Sequence, residues 1–333
     1  MYKRQEVVDP AAVAAIVGNM IGMDPPDHQI YRKMVAPSFT PKAIRGLEED
    51  MRLKIRELLE NVEGKSEFNF VTEIAEQLPL WVLCEMMGIP ESDRSKIRDL
   101  VNNLTDASIQ QDPNNSFQIW VNYMELFKMG RDMIEERRKK PTDDLMSVVA
   151  NTKVEGGDLP PELLDGFFLL MVIAGNETTR NTLTGGLMAL TENPSEREKL
   201  LKDPSLIANA TDEMLRWVTS VIYFRRTATK DTNIRGQDIK AGDKIIMWYG
   251  SANRDEDIFI DGHLFKVDRQ NAKKHLAFGA GEHLCLGNRL GHMQIRILFE
   301  ELLKRFPNIH SVAEPVRIPS NFLAGISELK VSI

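Results

Sequence analysis

The chain has 333 residues, 42% of them apolar and 27% charged, with 42 lysines and arginines against 49 aspartates and glutamates. That apolar share can build a sizeable core, so disorder is not the default, and the net charge of -7 argues against nucleic acid as the main partner. Two cysteines, Cys84 and Cys285, form no disulfide framework and point to a reducing, cytoplasmic setting; no run of about 18 apolar residues is there to span a membrane.

Met1-Tyr2-Lys3-Arg4-Gln5 reads as the translated end of a sequencing adapter and is set apart from residues 6–333, which read as one domain. Asp24-Pro25-Pro26 opens a helix over Asp27 to Arg32 with proline in its first turn. Thr40-Pro41 starts a second helix running to about Leu59, with Ile44, Leu47, Met51, Ile55, Leu58 and Leu59 recurring on one face. Val71 to Met87, Ser92 to Asp106 and Asn114 to Lys139 show the same period. The run Arg137-Arg138-Lys139-Lys140 reads as a solvated helix end.

Leu159-Pro160-Pro161-Glu162 then caps the longest pattern, Leu163 to about Leu190. It spans roughly 28 residues, or about 42 Å at the helical rise. Its stretch Phe167 to Ala174 is apolar on every side, which predicts a buried helix. Two shorter helices follow, the second ending near Trp217. Tyr223 to Ala228, Asn233 to Gly236 and Lys244 to Tyr249 read as β segments. A final helix covers Asn288 to Phe306, and a β-rich tail closes a mainly α chain.

Four groups of residues carry chemistry. Phe278-Gly279-Ala280-Gly281-Glu282-His283-Leu284-Cys285-Leu286-Gly287 sets one cysteine at the mouth of a helix behind a glycine-rich loop. A lone thiolate so placed suits a soft transition-metal centre, and the helix dipole favours negative sulfur at that end. Gly279, Gly281 and Gly287 let backbone lie flat against a planar ligand.

Inside the long helix stands Ala174-Gly175-Asn176-Glu177-Thr178-Thr179. Mid-helix glycine costs about 1 kcal/mol against alanine, and threonine hydroxyls compete for the i−4 carbonyl. The run predicts a kink bearing a titratable acid, Glu177, beside an exchangeable hydroxyl, Thr178, as proton delivery requires.

Glu213 and Arg216 form an i,i+3 pair that by itself carries only about 0.2–0.5 kcal/mol. His28 and Arg32 share one helix face. The other histidines lack zinc spacing, and His283 with Cys285 finds no second pair for a tetrahedral site, so a zinc enzyme is rejected.

Phe-Gly-x-Gly-x-His-x-Cys-x-Gly resembles the haem-thiolate signature of the cytochrome P-450 family, and Ala-Gly-x-Glu-Thr-Thr is similar to that family's oxygen-side motif. The resemblance covers almost the whole chain and implies the P-450 fold, a helical assembly around haem with a small β portion. The implied cofactor is haem b (iron protoporphyrin IX), with Cys285 as the axial iron ligand and Phe278, Gly279 and Gly287 in its loop. Four cationic or imidazole groups are implied at the haem carboxylates: His28, Arg32, Arg226 and His283. Glu213, Arg216 and Arg269 match a buried structural triad, and Glu177 with Thr178 the catalytic pair.

The implied activity is monooxygenation, one atom of O2 entering a C–H bond and the other leaving as water. Electrons from NAD(P)H would arrive through a ferredoxin and its reductase, with Lys273, Lys274 and Arg289 as docking charges. Leu170, Ile173, Ala174, Val221, Ile222 and Phe322 would line a pocket for a hydrophobic substrate. Met247-Trp248-Tyr249, Ala252-Asn253-Arg254-Asp255 and Ser320-Asn321-Phe322 resemble bacterial terminal hydroxylases of alkanes and fatty acids. Terpene- and steroid-hydroxylating branches share part of this.

Two departures stand out: Thr219-Ser220-Val221 where many relatives carry proline, and no sign of the family's opening strands and first helices. The rivals are a haem-thiolate peroxygenase or isomerase, which typically lacks the Glu177–Thr178 pair, and a truncated, catalytically silent haem-binding remnant.

Overall fold

The computed structural model describes residues 19–105, 113–154 and 156–333. The adapter-like run 1–5 and Asp106, the expected end of one helix, lie outside them. The chain packs as two compact units: residues 1–60, 72–180 and 286–294 form the first, and 61–71, 181–285 and 295–333 the second.

The first unit is helical. It contains α1 (Asp27–Val35), α2 (Pro41–Arg45), α3 (Glu48–Glu60), α4 (Gln77–Met87), α5 (Glu91–Thr105), α6 (Ser116–Lys139), α7 (Leu145–Asn151) and the first twenty residues of α8 (Pro161–Glu192). One helix was expected over Pro41 to Leu59; two form, because Gly46 donates its N–H to Ala43 O at 3.2 Å and tightens the turn. Glycine's low helix propensity explains the break there. In α3, Met51, Ile55, Leu58 and Leu59 are buried, the one-face spacing read from the sequence. The segment expected to be helical from Val71 begins as a π-helical turn, Val71–Ala75, before α4.

Helix α7 was not anticipated. Its N-cap is Asp144, whose carboxylate accepts the Ser147 N–H at 2.7 Å. A hairpin of Lys153–Val154 with Gly157–Asp158 follows. Helices α6 and α8 approach closely at Gly130, where an added Cβ would sit 2.8 Å from the Phe168 ring. Arg131 and the buried Asp165 tie the same pair of helices by an ion pair. Phe127, Leu126, Phe168 and Val172 lie in the core that α6 and α8 share with α4, α5 and α7.

The second unit adds the rest of α8, α9 (Pro194–Lys202), α10 (Ile207–Val218), the short α11 (Tyr249–Ala252) and the C-terminal part of α12 (Asn288–Arg305). Gly185 and Gly186 let α10 and α12 approach α8: their added Cβ atoms would meet Val218 at 2.7 Å, and Met214 at 3.0 Å with Phe299 at 3.1 Å.

The β portion is antiparallel. Strand Lys330–Ser332 lies between Glu67–Asn69 and His310–Ser311, and Tyr223–Thr227 pairs with Lys244–Trp248 from Tyr223↔Trp248 to Thr227↔Lys244. The segment Asn233 to Gly236, expected as a strand, is instead one arm and the turn of a hairpin joining Thr232–Ile234 to Gln237–Ile239. Arg235 and Gly236 both take positive φ, 49° and 85°, as a two-residue hairpin turn demands.

Candidate active site

In the second unit, Glu213 and Arg216 are fully buried and joined fork to fork, Nε and Nη2 each donating at 2.7 Å to the carboxylate. Arg269 Nε adds a bond to Glu213 at 3.0 Å, so the three predicted residues meet. Every other guanidinium nitrogen is used as well. Arg216 reaches the carbonyls of Asn253, Gly262 and Leu264 at 2.7, 2.8 and 2.9 Å, and Arg269 those of Ile260, Asp261 and Leu264. Glu213 also accepts the Lys266 N–H at 2.8 Å. Buried charges this completely bonded hold the loop of residues 253–269 in one shape.

Asn253 extends this network, a role that its place in the run Ala252 to Asp255 does not reveal. Its carbonyl takes Arg216, its Nδ2 donates to Thr219 Oγ1 at 2.8 Å, and its Oδ1 accepts the Leu276 N–H at 2.6 Å. In sequence a buried asparagine looks like any polar loop residue. Thr219, at the site of the missing proline, caps α10 with φ 47° and donates its hydroxyl to Arg216 O at 2.7 Å.

Asn253 thereby anchors the start of the cysteine loop. Gly279 donates to Leu276 O at 2.9 Å, and Cys285 donates its N–H to Phe278 O at 2.9 Å, closing the loop on itself. Gly279 and Gly281 adopt φ 69° and 73°, a region that favours glycine. Cys285 is half-buried, three residues before α12. Cys84, by contrast, is deeply buried, and desolvation pushes its thiol up to about 12, which makes it inert.

Phe278 is half-buried beside His275, ring centroids 5.5 Å apart. His283 is half-buried in the turn Gly281–His283, and an added Cβ at Gly287 would meet nothing within 4 Å. Lys273, Lys274 and Arg289 are exposed. Arg226 is exposed on its strand and borders a pocket of ≈ 260 Å³ that Leu276 and Ala280 also line.

Three predicted pocket residues come together in the same unit. The Ile222 N–H donates to Phe322 O at 2.9 Å, and Val221 bridges to Leu323. The Phe322 ring stands edge-on to Tyr223 and Phe224, at 5.9 and 5.6 Å, giving an apolar, aromatic wall.

In the first unit, α8 runs unbroken past Gly175. The expected disturbance shows instead as a Thr178 hydroxyl donating to Ala174 O at 2.9 Å. Mid-helix exposure is confined to one stripe: Ala174 and Gly175 are exposed and Leu170, Ile173 and Thr178 half-buried, whereas Phe168, Leu169 and Val172 are buried. The two predicted catalytic side chains therefore differ. Thr178 lies on the open stripe, but Glu177 is 2% exposed and ion-paired to Arg180. Asn176, 0% exposed, has no hydrogen-bond partner for either amide atom among the described residues. On α1, His28 is 1% exposed and Arg32 half-buried.

These residues fit a haem. Cys285 offers a single thiolate donor at a loop opened by left-handed glycines. On α8, within the first unit, packing does not require glycine at position 175: a Cβ there would make only ordinary contact with Leu83, at 3.5 Å.

A mainly helical fold with such a loop defines the haem-thiolate class of enzymes. The family profile described as cytochrome P450 matches residues 3–331, and the chain belongs to that family. It is 36% identical over 328 residues to a methyl-branched lipid omega-hydroxylase of Mycobacterium tuberculosis, covering 96% of this chain and 76% of that protein. It is 36% identical over 317 residues to a steroid C26-monooxygenase of Rhodococcus jostii, covering 94% and 65%. A Mycobacterium marinum cytochrome P450 solved with pseudoionone superposes with a TM-score of 0.92 at 35% identity, covering 98% of this chain and 80% of that one. The cofactor is protoporphyrin IX haem and the reaction is monooxygenation. Among the described residues no helix is long and apolar enough to cross a membrane.

Proposed function

We propose that this P450 hydroxylates a hydrophobic, lipid-like chain, an alkane or fatty acid, and that the Cys285 thiolate would hold its haem iron. The observation that carries the site assignment is the half-buried Cys285 closed onto Phe278 O behind two left-handed glycines. The apolar wall of Val221, Ile222 and Phe322, and the apolar stripe of Leu170, Ile173 and Ala174, support a hydrocarbon substrate. So does the likeness to a lipid omega-hydroxylase.

The haem, when bound, supplies dioxygen activation and one-electron chemistry, tuned by its thiolate ligand. Thr178 holds a proton at Oγ1 on the open stripe, positioned by its bond to Ala174 O. Glu177 replenishes that proton only after its ion pair with Arg180 opens, because its carboxylate is otherwise buried and engaged. His28, Arg32, Arg226 and His283 would bind the haem carboxylates, and Phe278, Gly279 and Gly287 would shape the loop. Lys273, Lys274 and Arg289 receive a ferredoxin, itself reduced by an NAD(P)H-dependent reductase in the cytoplasm.

A steroid substrate is the second reading, favoured by equal identity to the steroid C26-monooxygenase. Titration of the resting Soret band with alkanes, fatty acids, terpenes and sterols separates the two. Saturable shifts with long alkyl chains at micromolar concentration are expected, and a shift with sterols alone would overturn the lipid-chain reading.

A further inference from the structure

Tyr249 opens α11 directly behind strand Lys244–Trp248 and is 7% exposed. The register pairs Phe224 with Met247 and Arg226 with Ile245, so these four share one face of the two-stranded ribbon. Tyr249 continues that alternation, and its ring meets Phe224 edge-on with centroids 6.2 Å apart. Its phenol oxygen rests against the cysteine loop, since a Cβ built on Gly279 would lie 3.4 Å from Oη. Arg226, Met247, Trp248, Tyr249, Leu276 and Ala280 line the ≈ 260 Å³ pocket.

That pocket holds one cation, one phenol and otherwise apolar groups, with no acidic residue on its wall. Among the described residues the Arg226 guanidinium bonds only Arg225 O, at 3.0 Å, and meets no carboxylate; the Tyr249 hydroxyl meets no hydrogen-bond partner. Burial raises the phenol's pKa, with Arg226 partly opposing, so at neutral pH the group is a donor. A guanidinium and a neutral phenol in an apolar pocket select a carboxylate, which takes a forked cation and accepts a further hydrogen bond.

We propose that Tyr249 donates a hydrogen bond to the haem carboxylate that Arg226 pairs with. This rests on the haem reading of the Cys285 loop and adds a neutral donor to the four residues assigned above. The phenol's worth is that of one hydrogen bond to a charged group, so its loss should speed haem release about tenfold. The aromatic packing on Phe224 would survive in Tyr249→Phe, which keeps the ring.

The test measures haem transfer from the holoprotein to excess apomyoglobin, for wild type, Tyr249→Phe and Arg226→Leu. Each is loaded with haem or with its dimethyl ester. Expected is about tenfold faster haem loss from Tyr249→Phe, a larger effect in Arg226→Leu, and no difference between wild type and Tyr249→Phe for the ester. If Arg226→Leu accelerates haem loss and Tyr249→Phe does not, the Tyr249 inference fails while the carboxylate reading of Arg226 stands. If all three proteins lose haem and ester at one rate, that reading fails too. Unchanged haem transfer in Tyr249→Phe, with fatty-acid binding weakened but alkane binding intact, would assign the phenol to a substrate carboxylate and overturn the proposal.

Discussion

Two buried polar regions of this protein are built on opposite rules. Beneath the cysteine loop, Glu213, Arg216 and Arg269 use every carboxylate oxygen and the guanidinium donors reach six backbone carbonyl contacts, so full burial leaves no charge unanswered. In the middle of α8, Asn176 is buried with neither amide atom bonded to any described residue, and its neighbours Ala174 and Gly175 lie open. Satisfied polar groups fix a shape, whereas unsatisfied ones and an uncovered stripe mark a place where packing has yielded to function. On the proposed assignment, the first region would hold the Cys285 thiolate in position and the second would carry the hydroxyl that handles protons.

Substitutions should separate the two. Arg216→Leu leaves Glu213 buried with one cation fewer and strips three carbonyls, so a loss of roughly 3–5 kcal/mol is expected. Urea unfolding of the haem-loaded protein measures it, and a loss below about 1 kcal/mol would break the contrast. Thr178→Ala removes the only hydroxyl on the open stripe of α8 while leaving the fold intact. Product formed per NAD(P)H consumed should fall, with a rate loss of order 10².

Gly279→Ala forces a side chain into left-handed backbone at φ 69°, costing about 1–2 kcal/mol locally. Faster haem release with an unchanged far-ultraviolet spectrum is the expected signature. Asn176→Leu, the smallest, replaces an unbonded amide by an apolar side chain of similar size. Thermal unfolding should show stability unchanged or raised by about 1 kcal/mol, the reverse of the triad.

What was legible in the residues depended on whether local pattern or tertiary context decides. The Cys285 loop was readable because left-handed glycines at fixed spacing leave a direct mark, and α8 because its apolar run is long. The pairing of Glu177 with Arg180 was not read, although the i,i+3 spacing was in view, because only the fold shows that both side chains are buried. The hairpin turn at Arg235–Gly236 passed for strand, since Arg235 is an unusual residue for positive φ. Asn253 stayed hidden for a different reason: its partners Arg216, Thr219 and Leu276 lie 37, 34 and 23 residues away from it in the chain, and no local signal joins them to it.

On the proposed assignment Cys285 is the thiolate ligand of the haem, held by the triad and its Asn253 link. The most direct measurement is the carbon-monoxide difference spectrum of the reduced holoprotein, beside that of Cys285→His. Wild type should show the red-shifted Soret band of thiolate-ligated haem, and Cys285→His should lose it while keeping haem. A wild-type spectrum without that band, from protein with intact Cys285 and full haem content, would contradict the account.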